Sequence, residues 1–318
     1  MRIGIVTPVV AQPPPGHAAW ERDAGIEEIG LIAETADRLG YHHVTCSEHV
    51  AVPTEAAEQR GGVYWDPLAT FGYIAARTSR IRLVTQVLVL GYHHPLAIAK
   101  RYGTLDRVSG GRLTLGLGVG SLEEEFALLD APFKDRGARA DEALAALQGS
   151  LSQREPSHHG TYYDYSGLVV EPHAVQEHVP LWIGGRSARS LRRAATADGW
   201  VPFGLPLDTM ATMLAETDLP DGFDVVLGPN RPLNPIEDPA AAGRALGRLR
   251  DAGATIAGVR LESSSARHYC EQLAALRELA DDHGLVFEDV RAGQEGSVEV
   301  QQGVEAQPGV EAQQGEKR

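Results

Sequence analysis

Eight short apolar segments alternate with helix-like segments, and this alternation restricts the fold more than any other feature of the chain. The segments span residues 2–8, 42–48, 80–90, 112–120, 180–185, 199–203, 223–228 and 255–262. Several are continuous apolar runs, which is typical of parallel strands buried on both faces. Apolar residues between them recur at intervals of three and four, as in residues 25–39, 138–151 and 269–280, which indicates helices. Eight β/α units predict a TIM barrel, an α/β fold that one domain of this length can form.

Two stretches lie outside this alternation. Residues 155–179 match neither the helical nor the strand period, so we interpret them as an insertion between units four and five, with room for a short hairpin. Residues 291–318 are rich in Gln, Gly and Glu and contain "GVEAQ" twice, which predicts a disordered tail. The barrel domain is therefore expected to span residues 1–290. An open doubly wound sheet is the alternative, but residues 7–20 lack the glycine-rich turn that normally follows its first strand.

Charge and composition exclude several classes of partner. The chain has 43 acidic and 29 basic residues, a formal charge of −14, which argues against binding to nucleic acid because a phosphate backbone requires a basic surface. No run approaches the roughly 20 apolar residues of a membrane span, so no membrane partner is expected. Two cysteines, Cys46 and Cys270, are too few for a disulfide scaffold and indicate a cytoplasmic protein.

Polar residues at the ends of the predicted strands are the candidates for chemistry, because TIM barrels place their active sites there. Glu48 and His49 follow the second strand as an adjacent acid and imidazole. A lone histidine is most often structural, but this position favours a role in proton transfer. The acidic run 123–125 is interpreted as the solvated start of a helix, where carboxylates suit the helix dipole.

The segment Gly184–Gly185–Arg186–Ser187 follows the fifth strand and has the features of a phosphate site. Two glycines allow a close turn of the backbone, and Ser187 can cap the next helix. Free N–H groups at the start of that helix, with Arg186 and Arg189 nearby, would attract an anion. An ordinary tight turn with a serine cap is the alternative.

A catalytic metal is not expected. Metal-dependent barrel hydrolases carry two histidines one residue apart on a strand, and the chain contains no His-x-His. Its histidine pairs at 42–43, 93–94 and 158–159 are adjacent in sequence, so their side chains point in different directions and rarely share a metal.

Four connected blocks, residues 40–49, 66–120, 123–144 and 179–200, carry a family resemblance in their order and spacing. Through them the chain resembles the bacterial luciferase-like flavin and deazaflavin oxidoreductases, which are TIM barrels, over most of residues 1–290. It is most similar to the branch that uses coenzyme F420, a deazaflavin that carries hydride. That branch typically has Ser-Asp-His after the second strand, where this chain has Ser47-Glu48-His49.

The resemblance implies roles for individual residues. His49 would lie beside the cofactor ring and the substrate and assist proton movement, with Glu48 as a second catalytic candidate. A non-prolyl cis peptide is expected at Gln86–Val87, forming a bulge behind the ring, although relatives often have a small residue at the position of Gln86. The loop Val119–Gly120–Ser121 would line the cofactor, and its phosphate would lie at 184–187.

The leading functional hypothesis is therefore an oxidoreductase that transfers hydride between coenzyme F420 and a small organic substrate. A two-component monooxygenase that uses reduced FMN and oxygen is one alternative, and a non-catalytic flavin or deazaflavin carrier is another. The resemblance also allows a homodimer and a separate flavin or F420 reductase as partners. The aromatic-containing stretches 51–66 and 155–179 are the expected determinants of substrate choice, or else anchors of long loops to the barrel rim.

Overall fold

A computed structural model describes residues 1–14 and 16–287. The tail predicted for residues 291–318 lies outside this part of the chain. Within it, the eight predicted strand segments all form parallel strands of one closed sheet. The TIM barrel prediction is confirmed.

The barrel strands are shorter than the apolar segments that predict them, because each segment also includes the first residues of the following loop. They are β1 (Arg2–Ile5), β2 (His43–Cys46), β3 (Arg82–Thr85) with β4 (Leu88–Val89), β5 (Leu113–Gly118), β8 (Leu181–Gly184), β9 (Gly199–Val201), β10 (Asp224–Leu227) and β11 (Ile256–Val259). β3 and β4 are two halves of the third barrel strand. The short strands β6 (His158–His159) and β7 (Asp164–Tyr165) form a separate antiparallel pair.

The sheet closes through the third and fourth barrel strands. Its order is β3-β2-β1-β11-β10-β9-β8-β5-β4, and β3 also pairs with β5. In the first half of the third barrel strand Leu83 pairs with Leu113, and in the second half Leu88 pairs with Leu117. Because β5 pairs with both halves, the two residues between them, Gln86 and Val87, bulge out of the ladder.

Helices follow the strands and cover the barrel. They are α1 (Ile26–Arg38), α2 (Thr54–Arg60), α3 (Pro67–Arg77), α4 (Pro95–Ser109), α5 (Glu123–Leu128), α6 (Arg136–Gln148), α7 (Ala188–Ala194), α8 (Leu207–Ala215), α9 (Pro239–Asp251), α10 (Ala266–Glu278) and α11 (Ala280–His283), with 3₁₀ turns at Ala19–Arg22 and Leu90–Tyr92. Within the described ranges, none of these helices has both the length and the apolar character needed to span a bilayer.

Two apolar clusters hold the barrel together. The larger one includes Ile3, Leu83 and Leu115 and brings together strand and helix side chains. The smaller one consists of Val84, Trp182, Val201, Val226 and Ile256, all fully or almost fully buried. Val87 packs against this second cluster, so the bulge in the third strand rests on a filled core.

The segment 155–179 contains the antiparallel pair β6–β7, in which His158 pairs with Tyr165. Glu142 of α6 accepts hydrogen bonds from the backbone N–H groups of Thr161, Tyr162 and Tyr163 at 2.7–3.0 Å. These bonds lower the pKa of Glu142 in spite of a desolvation effect that alone would raise it. The connection between β6 and β7 is therefore attached to the barrel through one carboxylate.

Candidate active site

A cavity of about 830 Å³ lies at the carboxyl ends of the barrel strands. Its lining includes every residue predicted from the sequence as a site residue, namely Glu48, His49, Gln86, Val87, Val119, Gly120, Ser121, Gly184, Gly185, Arg186 and Ser187. It is also lined by Arg60, Tyr64, Tyr92, Lys134, Arg136, Arg189 and Phe203. The structure thus places the predicted residues around one space, while the roles assigned to them stay predictions.

His49 forms a short hydrogen bond with a buried carboxylate. Its Nδ1 lies 2.6 Å from Oε2 of Glu125, and the Glu125 side chain is 0% exposed. Interpreting residues 123–125 as a solvated helix start is therefore wrong for Glu125. Leu122, Glu125 and Phe126 share a helical face through their spacing of three and four, and all three are buried.

Glu125 is held by a complete set of donors. Its Oε1 accepts the backbone N–H groups of Val50 and Ala51 at 2.7 and 3.2 Å, and its Oε2 also accepts the hydroxyl of Tyr92 at 2.7 Å. Burial alone would raise the pKa of Glu125, but the hydrogen bonds from Tyr92 and His49 outweigh it and lower the pKa. The group is therefore an ionised carboxylate that can balance a positive charge on His49.

The other ring nitrogen of His49 is available to a ligand. Among the described residues, none forms a hydrogen bond with Nε2 of His49, whose side chain is 18% exposed. The ring packs edge-on against Tyr64 at a centroid distance of 4.5 Å, and the Tyr64 hydroxyl donates to the carbonyl of Arg60 at 2.6 Å. Glu125 and Tyr64 thus fix the orientation of an imidazole that keeps one nitrogen free.

Glu48 has different partners from its neighbour. Its Oε2 accepts the backbone N–H of Val89 at 2.7 Å, and its Oε1 lies 2.6 Å from Nε2 of His93. Both contacts join the end of β2 to the segment that follows the bulge. Glu48 therefore lines the cavity but is engaged in holding the third strand in place.

The Gln86–Val87 peptide bond is cis, as the resemblance implies. The Gln86 carbonyl accepts the hydroxyl of Ser47 at 2.8 Å, which ties the bulge to the end of β2. The Val87 side chain lies against two glycines, since a Cβ added to Gly118 or Gly184 would come within 2.5 or 2.6 Å of its methyl groups. Glycines at the ends of β5 and β8 therefore make room for the bulge that forms the cavity floor.

The turn after β8 leaves several backbone N–H groups without a partner in the described part of the chain. Gly185 has a φ of +132°, and an added Cβ would lie 2.7 Å from Ser190 Cβ, so only glycine fits there. The Ser187 hydroxyl caps the N–H of Ser190 at 3.2 Å. The N–H groups of Arg186, Ala188 and Arg189 donate to no other described residue, so they remain available to an anion.

Basic side chains also line the cavity. Among the described residues, no carboxylate lies within ion-pair distance of five of them, Arg60, Lys134, Arg136, Arg186 and Arg189. Arg193 is the exception, because its Nε lies 2.5 Å from Asp141. Free N–H groups together with unpaired cations fit a phosphate-bearing cofactor. Over the same described ranges, no cluster of His, Cys, Asp and Glu side chains suits a metal ion.

Comparison with known proteins places this geometry in a family. A family model described as luciferase-like monooxygenase matches residues 1–218. The chain belongs to the luciferase-like monooxygenase family. The cavity lining, from Ala11 to Phe203, lies entirely within the matched region.

The chain is similar to an uncharacterized protein and to a named monooxygenase. An uncharacterized protein of Mycobacterium tuberculosis is 29% identical over 196 residues, which cover 58% of this chain and 68% of that protein. The 4-hydroxyprotoasukamycin monooxygenase of Streptomyces nodosus subsp. asukaensis is 34% identical over 142 residues, 45% of this chain and 34% of that enzyme.

Two solved structures share the fold. Monooxygenase RslO1 from Streptomyces bottropensis superposes with a TM-score of 0.69 at 24% identity, covering 89% of this chain and 100% of that one. An F420-dependent secondary alcohol dehydrogenase, solved with an F420-acetone adduct, gives a TM-score of 0.65 at 14% identity over 86% and 98% of the two chains. At these identities the comparison establishes the luciferase-like barrel and not the cofactor.

Proposed function

We propose that this luciferase-like protein is an oxidoreductase that transfers hydride between coenzyme F420 and a small organic substrate. One observation carries the proposal: an imidazole fixed by a buried carboxylate faces the same cavity as a cluster of unpaired cations. The first feature suits proton transfer and the second suits an anionic cofactor.

When bound, the deazaflavin would supply the hydride chemistry, and the chain would supply orientation and proton transfer. Transfer of hydride to or from a carbonyl or alcohol requires a matching proton movement, for which Nε2 of His49 is the free nitrogen. Glu125 accepts the hydrogen bond from Nδ1 of His49 and offsets the positive charge that His49 gains when it holds the proton. Glu125 is thus proposed to position His49, while His49 contacts the substrate.

Three parts of the cavity would receive the cofactor. The bulge at Gln86–Val87 would support the ring, the loop Val119–Gly120–Ser121 would lie along it, and the turn 184–187 would bind the phosphate. The bulge and the loop lie on adjacent strands, since β4 pairs with β5. Arg136 hydrogen bonds to the carbonyl of Gly120 at 3.2 Å, which links the loop to the cation cluster.

The test of cofactor identity is a fluorescence titration of the purified protein with F420 and with FMN. We expect saturable binding of F420 and weaker binding of FMN, because five cations without a carboxylate partner favour the more anionic ligand. An absence of saturable F420 binding would overturn the proposal.

A monooxygenase that uses reduced FMN is the second candidate, because the family model and the Streptomyces relatives are described as monooxygenases. The same barrel, phosphate turn and His49 would serve it, with a separate reductase supplying reduced flavin. Oxygen consumption on addition of reduced FMN, dependent on an added organic substrate, would favour this function over the first.

A further inference from the structure

The cavity has more positive charge than one phosphate would neutralise. Among its described lining residues, six are Lys or Arg and one, Glu48, is acidic, although the whole chain has a formal charge of −14. Glu48 is paired with His93 and Arg193 with Asp141. The other five cations exceed the charge of about −2 on one phosphate monoester, so the ligand is expected to carry further anionic groups.

A groove next to the cavity shows where those groups would lie. It has a volume of about 380 Å³ and is lined by residues of α6, of α7 and of the turn after α7, namely Asp141, Leu144, Arg189, Arg192, Arg193 and Thr196. Arg189 and Arg193 line both the groove and the main cavity, so the two spaces adjoin.

The groove carries net positive charge, because Asp141, the acidic residue among its described lining, is paired with Arg193. Asp141 bonds to Arg193, which is almost completely buried. Arg189 and Arg192 are three residues apart on α7 and therefore face the same side, and no carboxylate in the described part of the chain pairs with either. Like charges this close on one helix face repel each other. An anion bound between Arg189 and Arg192 would relieve that repulsion.

We propose that this groove between α6 and α7 is a second anion subsite that binds carboxylates of the cofactor extending beyond its phosphate. The inference rests on the proposed function, since the side chain of F420 continues past its phosphate into glutamyl carboxylates whereas that of FMN ends at its phosphate. Arg189 lies at the junction of the two spaces, and Arg192 belongs to the groove alone. A substitution of Arg192 should therefore affect binding of the glutamyl carboxylates without affecting binding of the phosphate.

The test compares two forms of F420, one with several glutamyl residues and one with none, in fluorescence titrations of three proteins. These are the unmodified chain, Arg192→Glu, and the control Arg248→Glu on the outer helix α9. Arg248 is exposed and lines neither space, so the control makes the same change of net charge elsewhere. Arg192→Gln removes the positive charge without introducing a negative one. A thermal melt of each variant shows whether a loss of binding reflects a loss of folding.

We expect Arg192→Glu to weaken binding of the long-tailed form by about 10-fold and of the tail-free form by less than about 2-fold, since a charge-assisted contact is worth about that much. Arg248→Glu should change neither, and raised salt should weaken the long-tailed form more. Equal binding of both forms, or equal weakening of both by Arg192→Glu, would overturn the subsite and leave F420 binding intact. If neither form binds saturably, the proposed function fails and the subsite with it.

Discussion

A pair of ionisable residues lies at each end of strand β2, and the two pairs have different surroundings. His42 and His43 lie at its amino end, where both are buried, His43 completely. Glu48 and His49 follow its carboxyl end and line the cavity. The two pairs are separated by the length of one short strand, so the direction of that strand decides which pair reaches the cavity.

At the amino end the histidines are surrounded by ring faces and cations. His42 contacts Arg2 at 3.3 Å and His43 at 2.9 Å, and both rings pack near Trp182. Burial and neighbouring charges lower the pKa of His42 to about 2 and that of His43 to about 3. Nε2 of His43 is buried without a hydrogen bond partner among the described residues.

At the carboxyl end each member of the pair forms a short hydrogen bond with another ionisable side chain. Glu48 is paired with His93, and His49 with Glu125. A neutral, buried imidazole can only fill space and accept or donate a hydrogen bond, whereas one next to an ionised carboxylate can hold a proton. Which histidine near β2 is suited to proton transfer therefore depends on its burial and its hydrogen-bond partner more than on its residue type.

The largest expected effect is on His49 itself. Replacement His49→Ala should reduce kcat by about 10²–10⁴-fold in any hydride-transfer assay, because it removes the proposed proton-transfer group. Cofactor affinity, measured by titration, should change little. His159→Ala on β6 is the control, because His159 is exposed and lies outside the cavity. Unchanged turnover with intact cofactor binding would instead favour a non-catalytic carrier.

The next effect concerns Glu125. Glu125→Gln keeps the size of the side chain but removes the charge that faces His49, and kcat should fall by about 10²-fold with KM nearly unchanged, a loss consistent with a buried charged hydrogen bond. Glu124→Gln on the same helix is the matched control, because Glu124 is exposed. Equal loss in both variants, or a loss confined to KM, would contradict a positioning role.

Much of the fold was predictable because local patterns and tertiary structure agree. The continuous apolar runs place all eight barrel strands, and Ser187 caps α7 as predicted. The cavity position of Glu48 and His49 also followed from their place after a strand. These features depend on residues close in sequence, which is where pattern arguments apply.

The partners of the site residues could not be predicted, because they come from distant parts of the chain. His49 and Glu125 are 76 residues apart, and Glu48 and His93 are 45 apart. Three consecutive acids at 123–125 look like a solvated helix start, and only the spacing from Leu122 indicated that the third is buried. Lys134 and Arg136 reach the cavity from the β5–α6 connection and from α6, and no strand-end argument identifies them.

The smallest effect is a stability change with pH at the amino end of β2. Because the folded pKa of His42 is lowered to about 2, the unfolded chain binds more protons below about pH 6.5, and the free energy of unfolding falls as pH decreases from there. At pH 5.5 this amounts to about 1.4 kcal/mol for one histidine. His42→Gln should remove that part of the decrease between pH 7.5 and 5.5 in urea unfolding, while His159→Gln should not. An unchanged slope in His42→Gln would show that His42 is accessible to protons in the folded protein and would remove the contrast between the two ends of β2.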